Sequence, residues 1–351
     1  MERHVTVLPL HYGRAPRWLF EKMKRLVGPI AEIVVTEFGP LELLRRVSDP
    51  IWFQALGAVC GFDWHSSGLT TTLCFALKEA IRERSRDLGI AVCGGKGREA
   101  LKTPLEIEKA CEDLGVDLHS LTEVSRLCAK IDNSVLQDGH ALYHHTFFFS
   151  KEGFWAVVQQ GMDPLRGTAR RYQWFHTDRF FWDPHTGITC EGRSDVLNLA
   201  STQSEASRAS ILYFLRENPD NMMNIWKGIH ISMPKRHYIT PADIDQERLF
   251  RVFRVVHESH PRDFKELIAI RGVGPRTIAA LALVSELIYK TPPDFRDPAR
   301  FAFAHGGKDG HPFPVDKAMY EETINFLKNC AQKARLGRTD KLSLLRRLSP
   351  L

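Results

Sequence analysis

The chain has 351 residues, with 48 basic and 42 acidic side chains, a formal net charge of +6, and 43% hydrophobic and 10% aromatic residues. That length exceeds one small core and predicts two domains, while the composition excludes disordered and fibrous proteins. No apolar run approaches the roughly 20 residues that span a bilayer, and the N-terminus leads into a strand-like pattern instead of a signal peptide, so a cytoplasmic location is expected.

The predicted elements begin with a strand over His4–Leu10, a helix over Arg17–Leu26 and a β-branched strand over Ala31–Phe38 that stops at Gly39-Pro40. Helices follow over Pro40–Val47, Pro50–Cys60 and Leu73–Leu88, then a short strand over Ile90–Cys93. Pro104–Leu114 and Leu121–Val135 read as helices. The clearest hairpin pairs Ala141–Ser150 with Phe154–Gln160 across Lys151-Glu152-Gly153. Beyond about residue 200 apolar residues recur at i, i+3 and i+4 in Ser204–Glu217, Asp243–His257, Asp263–Ile270, Pro275–Tyr289 and Lys317–Arg335. The expected fold class is therefore α+β, with a mixed α/β domain over 1–200 and an all-α domain over 201–351. The basic tail from Arg338 reads as loosely held.

Charge divides the same way. Residues 1–200 hold 24 basic and 25 acidic side chains, whereas residues 201–351 hold 24 and 17. A net +7 confined to the second part points to a polyanionic partner there, although a basic surface also serves solubility. The seven cysteines are scattered singly with no CxxC pair, which argues against a zinc ribbon or disulfide framework and for reduced, buried thiols. Seven Asn and eight Gln are few for this length, a composition found in thermophile proteins, while seven cysteines and seven methionines argue against that origin.

The strongest motif is Phe264–Tyr289, FKELIAIRGVGPRTIAALALVSELIY. A short apolar helix, a Gly272-Val273-Gly274 turn and a second helix opened by Pro275 would place backbone N–H groups at a positive helix end. Arg276 and Thr277 add donors at that point. GVGPRTIAA resembles the helix-hairpin-helix element of DNA repair and recombination proteins, which holds the sugar-phosphate backbone and reads no base edges. The alternative is an ordinary αα-hairpin with a glycine turn.

Glycosylases with this element carry a catalytic Asp at a helix start, and Pro314-Val315-Asp316 is similar here. The position of their nucleophilic Lys holds Arg276, whose guanidinium cannot form a Schiff base. The favoured reading of Asp316 is instead a helix N-cap, a role that a carboxylate there serves well. Between them, Lys308 sits in the glycine-rich turn His305–Gly310, and Gly94-Gly95-Lys96-Gly97 is comparable. Neither has P-loop spacing, and each is either a phosphate nest or a flexible turn.

Three clusters in the first 200 residues are candidates for chemistry. In Phe62–Gly68, Asp63 and His65 lie two apart and would face one way in an extended segment; the same polar residues would also cap the following helix. In Asp132–His145, Asp132, Asp138, His144 and His145 are candidate ligands for a divalent metal, Mg²⁺ or Mn²⁺, with Asp138 and His140 as candidate catalytic groups. Alternation puts His144 and His145 on opposite sheet faces, and Gln159 and Gln160 stand where a nuclease (D/E)xK pattern wants an acid and a lysine. In Arg166–Trp182, four arginines, Arg170 and Arg171 among them, interleave with six aromatic residues. That composition suits unpaired nucleic acid, or a strand-rich core with arginines at its rim.

The runs LPLHYGRAP, DWHSSGLTT, IDNSVLQDGHALYHH, WAVVQQGMDPLRGTARRYQWFH and FAHGGKDGHPFPVD together resemble the "domain of unknown function 763" family of archaea and bacteria. The resemblance covers nearly the whole chain. It implies DNA processing, with nuclease activity, and carries over no catalytic residue. The expected function is a structure-selective, metal-dependent DNA nuclease acting as a homodimer. The alternatives are a non-catalytic DNA-binding protein and a lysine-free glycosylase using Asp316.

Overall fold

The computed structural model describes residues 17–60, 67–190, 196–229 and 244–299, with helical positions between 322 and 333. The expected strand over His4–Leu10, Asp63 and His65, Lys308, Asp316 and the tail from Arg338 lie outside the described residues.

Local signals start most of the helices. α1 (Arg17–Phe38) precedes α2 (Pro40–Ser48) and α3 (Pro50–Val59), each with proline at its first position, where no N–H is needed. The Asp49 carboxylate caps α3 by accepting from the backbone N–H groups of Ile51 at 2.8 Å and Trp52 at 3.2 Å. After α4 (Gly68–Arg82) and α5 (Ser85–Leu88) come β1 (Ile90–Lys96), α6 (Arg98–Leu101), α7 (Thr103–Leu114) and α8 (Leu121–Lys130). A wide π-type turn, Ile131–Val135, closes α8 and runs into β2 (Leu136–Gln137).

The main sheet is formed by β3 (Ala141–Ser150), β4 (Trp155–Asp163), β5 (Thr168–Phe175) and β6 (His185–Thr189), with β1 on the outside of β3. Every pairing is antiparallel, in the order β1-β3-β4-β5-β6. β7 (Leu197–Asn198) pairs with β2. Helices α9 (Glu205–Phe214), α10 (Pro219–Lys227), α11 (Gln246–Ser259), α12 (Phe264–Ala269) and α13 (Pro275–Leu287) follow. The fold is thus mixed α/β around an antiparallel sheet.

Each face of that sheet is buried. On one face Phe148, Ala156 and Val158 meet α1–α4, joined by Leu327 and Cys330. On the other, Phe147, Phe149, Trp155, Val157 and Trp174 share one apolar cluster with α7, α8 and α9–α13. That cluster runs unbroken from Ala91 to Val284, through Leu199 and Ala200, so the packing has no gap at residue 200.

One predicted element changes type. Ala31–Phe38 is the second half of α1, a continuous 22-residue helix with Pro29 inside it. Met23, Val27, Ile30, Ala31 and Val34 are buried together, and that i, i+3, i+4 stripe outweighs the local β-branched preference. The seven cysteines are buried, and none is in a disulfide. Among the described residues no helix is long and apolar enough to cross a membrane.

Candidate functional site

Two places combine chemistry with access: the turn between α12 and α13, and a histidine–aspartate pair at the start of β6.

Asp263 caps α12, accepting from the Glu266 N–H at 2.8 Å, and the chain turns through Gly272 at φ +100°, a value that favours glycine. Gly274 is different: its φ of −131° suits any residue, and a Cβ there would meet nothing within 4 Å. Gly28, Gly57, Gly161 and Gly228, the other glycines of ordinary φ whose surroundings are known, each face an atom within that distance. Gly274 therefore keeps the approach to the start of α13 open without serving the turn's own geometry. No side chain caps α13. Arg276 is exposed beside its first turn, whereas Thr277 is buried.

The turn is anchored from below. Lys130 Nζ donates to the Val273 carbonyl at 2.5 Å, and Gln137 Nε2 donates to the carbonyls of Pro275 and Ser134, both at 2.8 Å. Lys130 and Gln137 flank the Ile131–Val135 turn, so the segment carrying Asp132 is tied to the hairpin at both ends. Burial lowers the Lys130 pKa from the ordinary lysine value.

Asp132 is buried. Its Oδ2 accepts from Gln159 Nε2 at 2.5 Å and Trp174 Nε1 at 2.8 Å, and its Oδ1 pairs with His185 Nε2 at 2.5 Å. Burial pushes the carboxyl pKa up, against the opposing pull of His185 and Trp174. Because Gln159 donates to Asp132, its Oε1 is left to accept from His145 Nδ1 at 2.9 Å. His145 Nε2 then accepts from the Ser125 hydroxyl at 2.8 Å. Gln159 is thus the bridge between Asp132 and His145. Burial holds His145 down to about 4.

The second carboxylate lies in its own network. Asp138 Oδ2 accepts from Arg170 Nη1 at 3.0 Å and the Tyr172 hydroxyl at 2.7 Å, and Oδ1 accepts from the His140 N–H at 3.0 Å. Burial alone would raise this carboxyl, but Arg170, His140 and Tyr172 outweigh it and hold it down to about 2. Arg170 also forks onto Asp297, at 2.7 and 3.1 Å. His140 Nε2 bonds with Thr168 Oγ1 at 3.0 Å.

Several predicted roles meet these contacts. Asp132 and Asp138 face the same side of the sheet, but their oxygens are occupied by protein donors. His144 points to the opposite face, as alternation requires, where its Nε2 bonds Thr146 Oγ1 at 2.9 Å and its buried Nδ1 has no partner. Burial, with His145 and Lys96 nearby, lowers His144 to about 3. Among the described residues no three His, Cys, Asp or Glu side chains converge on a point that would hold a metal ion.

Arg170 and Arg171, expected on a DNA surface, are interior residues, 2% and 1% exposed. Arg171 donates to Gln54 and Gln173 on the other face, lies over the Phe53 ring, and is pushed down by burial to about 10. The glycines of Gly94–Gly97 have a packing reason. A Cβ on Gly94 would lie 2.2 Å from the His145 carbonyl oxygen, while the Gly94 N–H and carbonyl engage Glu106 and Lys78.

His185 was not among the predicted site residues. Its ring lines a small cleft with Asp183, Gly187, Asn198 and Pro298, and Nδ1 makes no hydrogen bond. An imidazole oriented by a buried carboxylate, with its second nitrogen free, can take up a proton there. The sequence signal was faint: a histidine opening a five-residue strand, with its carboxylate 53 positions earlier.

No curated protein and no solved structure matches the chain. Residues 4–315 match the family described as "Protein of unknown function (DUF763)", and the chain belongs to that family.

Proposed function

We propose that this protein processes DNA and grips the sugar-phosphate backbone at the turn between α12 and α13, in the manner of a helix-hairpin-helix element. Gly274 carries the reading. A glycine with neither a conformational nor a packing reason leaves room for a group from another molecule. The uncapped start of α13 presents N–H groups suited to a phosphate oxygen there. Exposed Arg271 and Arg276 supply charge of the right sign. Such contacts favour DNA of a particular shape over a particular sequence, so bubbles, flaps and single-strand junctions are the expected targets. One hairpin is a small footprint, and a homodimer would strengthen the grip through effective concentration.

The test is a binding titration of labelled duplex DNA against wild type, Gly274→Ala and Arg276→Ala. Both variants should weaken binding, and the double variant more than either. Unchanged affinity in all three would sink the reading. Light scattering of the free protein checks the homodimer.

Phosphodiester hydrolysis is the second reading, favoured by the His185–Asp132 pair in its cleft. The described carboxylates do not form a ready site for Mg²⁺ or Mn²⁺, so no step is assigned to a metal. Incubation with duplex, bubble and single-stranded DNA, each with Mg²⁺, Mn²⁺ or EDTA, decides whether cleavage occurs and what it needs. Cleavage abolished by His185→Ala with binding intact supports this reading; no cleavage under any condition leaves a DNA-binding protein alone.

A further inference from the structure

We infer that Trp182, with Arg179, forms a stacking platform for an unpaired nucleobase of the strand held at the α12–α13 turn; this rests on the DNA-binding reading above. The Arg166–Trp182 segment is sorted by the fold into two populations. Tyr172 and Trp174 are fully buried and Phe180 is 8% exposed, whereas Trp182 is 54% exposed. Trp182 thus stands out from the segment's buried aromatic residues as a rigid indole with a face open to a partner.

The residues around it are fixed. Phe180 stacks on Trp155 with centroids 6.2 Å apart and planes 2° from parallel. Phe181 meets Phe264, the first residue of α12, edge-on at 5.3 Å. Asp183 adopts a left-handed φ of 54°, its N–H donating to the Ala200 carbonyl and its carboxylate accepting from Thr202. Trp182 is therefore held between anchored neighbours, with little ordering left to do on binding.

The surroundings select the partner. The Arg179 guanidinium lies 5.7 Å from the Trp182 ring centre. Lys265 of α12 lies over Phe180 at 5.8 Å, which ties this loop to the hairpin's first helix. Arg179, Lys265, Arg271 and Arg276 are all exposed, and none pairs with an acid among the described residues. Asp178 and Asp183 are the exposed acids of the loop, Asp183 being engaged by Thr202; on the α12 side Asp263 caps the helix and Glu266 is engaged by Arg262. An exposed aromatic face among unpaired cations, on a loop packed against the first turn of α12, suits a polyanion that presents a π-face. Unpaired DNA does so, whereas in a duplex the base faces are covered by their neighbours.

The test compares binding of the full chain to single-stranded, bubble-containing and fully paired DNA of one sequence, followed by fluorescence anisotropy. Trp182→Ala should weaken binding to the first two roughly tenfold while paired DNA changes less than about twofold. Trp182→Phe should recover most of the loss. An abasic residue in the bubble should remove the penalty of Trp182→Ala, because the stacked base is then already gone. An equal loss on all three DNAs, or no loss on any, overturns the platform, and the indole then belongs to a protein partner or to none. Arg276→Ala, run alongside, separates the two ideas. Loss of binding there with Trp182→Ala silent leaves the hairpin reading standing and the platform refuted. No binding of any DNA by wild type refutes both.

Discussion

Arg170 is a permanent charge at 2% exposure, and it is tolerated because Asp138 and Asp297 both bond it. Removing one partner of such a buried group leaves the others uncompensated, at a cost of about 3–5 kcal/mol. Arg170→Ala should therefore lower the urea midpoint sharply. Arg170→Lys should recover only part, since an ammonium cannot reproduce the guanidinium fork. An unaltered midpoint in Arg170→Ala would mean the triad is not formed in solution. The histidines set a pH dependence instead. His144 and His145 are lowered by burial from an ordinary 6.5 to about 3 and about 4. Below pH 6.5 the unfolded chain therefore takes up protons that the folded chain refuses, and stability falls as the pH drops toward 4 and then 3. Asp138 adds to this in a lower window. Its carboxyl is held at about 2 against an ordinary 3.8, so its contribution is complete above 3.8 and lost as pH falls toward 2. Urea midpoints across this range should decline on acidification, and His145→Gln should flatten the slope between pH 6.5 and 4. An equal slope in that variant would count against a neutral, buried His145.

At the scale of elements, the α12–α13 turn sets two glycines against each other. Gly272→Ala places a Cβ on a backbone at φ +100°, a left-handed conformation that costs an ordinary residue about 1–2 kcal/mol. Gly274→Ala, at φ −131° with open space beyond, should leave stability unchanged or raise it by up to about 1 kcal/mol by restricting the unfolded chain. Thermal unfolding of the two variants checks this, and matching losses would show that the turn is built differently. This turn was legible in the sequence because proline and glycine act locally, as were α2 and α3 behind their prolines and the β3–β4 hairpin around Lys151-Glu152-Gly153. What was not legible depended on distant partners. Ala31–Phe38 reads as a strand until the rest of α1 supplies its helical stripe. Arg170 and Arg171 read as surface cations because Asp297 and Gln54, each more than a hundred positions away, leave no periodic trace. The Asp132–His185 pair was hidden for the same reason, although Asp132 itself stood out.

Across the whole molecule, the antiparallel sheet is the shared wall of two apolar layers, and the more C-terminal layer joins residues on both sides of position 200. Trp155 and Trp174 from the sheet, Trp226 from α10 and Leu281 from α13 belong to one cluster. The charge asymmetry between the two halves of the chain is therefore a division of surface, carried on a common interior. If that interior melts as one, truncating a side chain in α13 must destabilise the sheet as much as the helices around it. Leu281 is fully buried, and Leu281→Ala should cost about 2–5 kcal/mol. Six of the seven tryptophans precede residue 200, so fluorescence is weighted toward that part of the chain, whereas far-UV circular dichroism samples helices on both sides of it. Both signals should fall in one coincident urea transition in wild type and remain coincident, at a lower midpoint, in Leu281→Ala. A circular-dichroism transition that splits, part of it moving to lower urea while the fluorescence transition stays in place, would show that residues beyond 200 unfold on their own. The hairpin would then sit on a separable unit, and the ties from Lys130 and Gln137 to its turn would be too weak to couple DNA binding to the segment that holds Asp132.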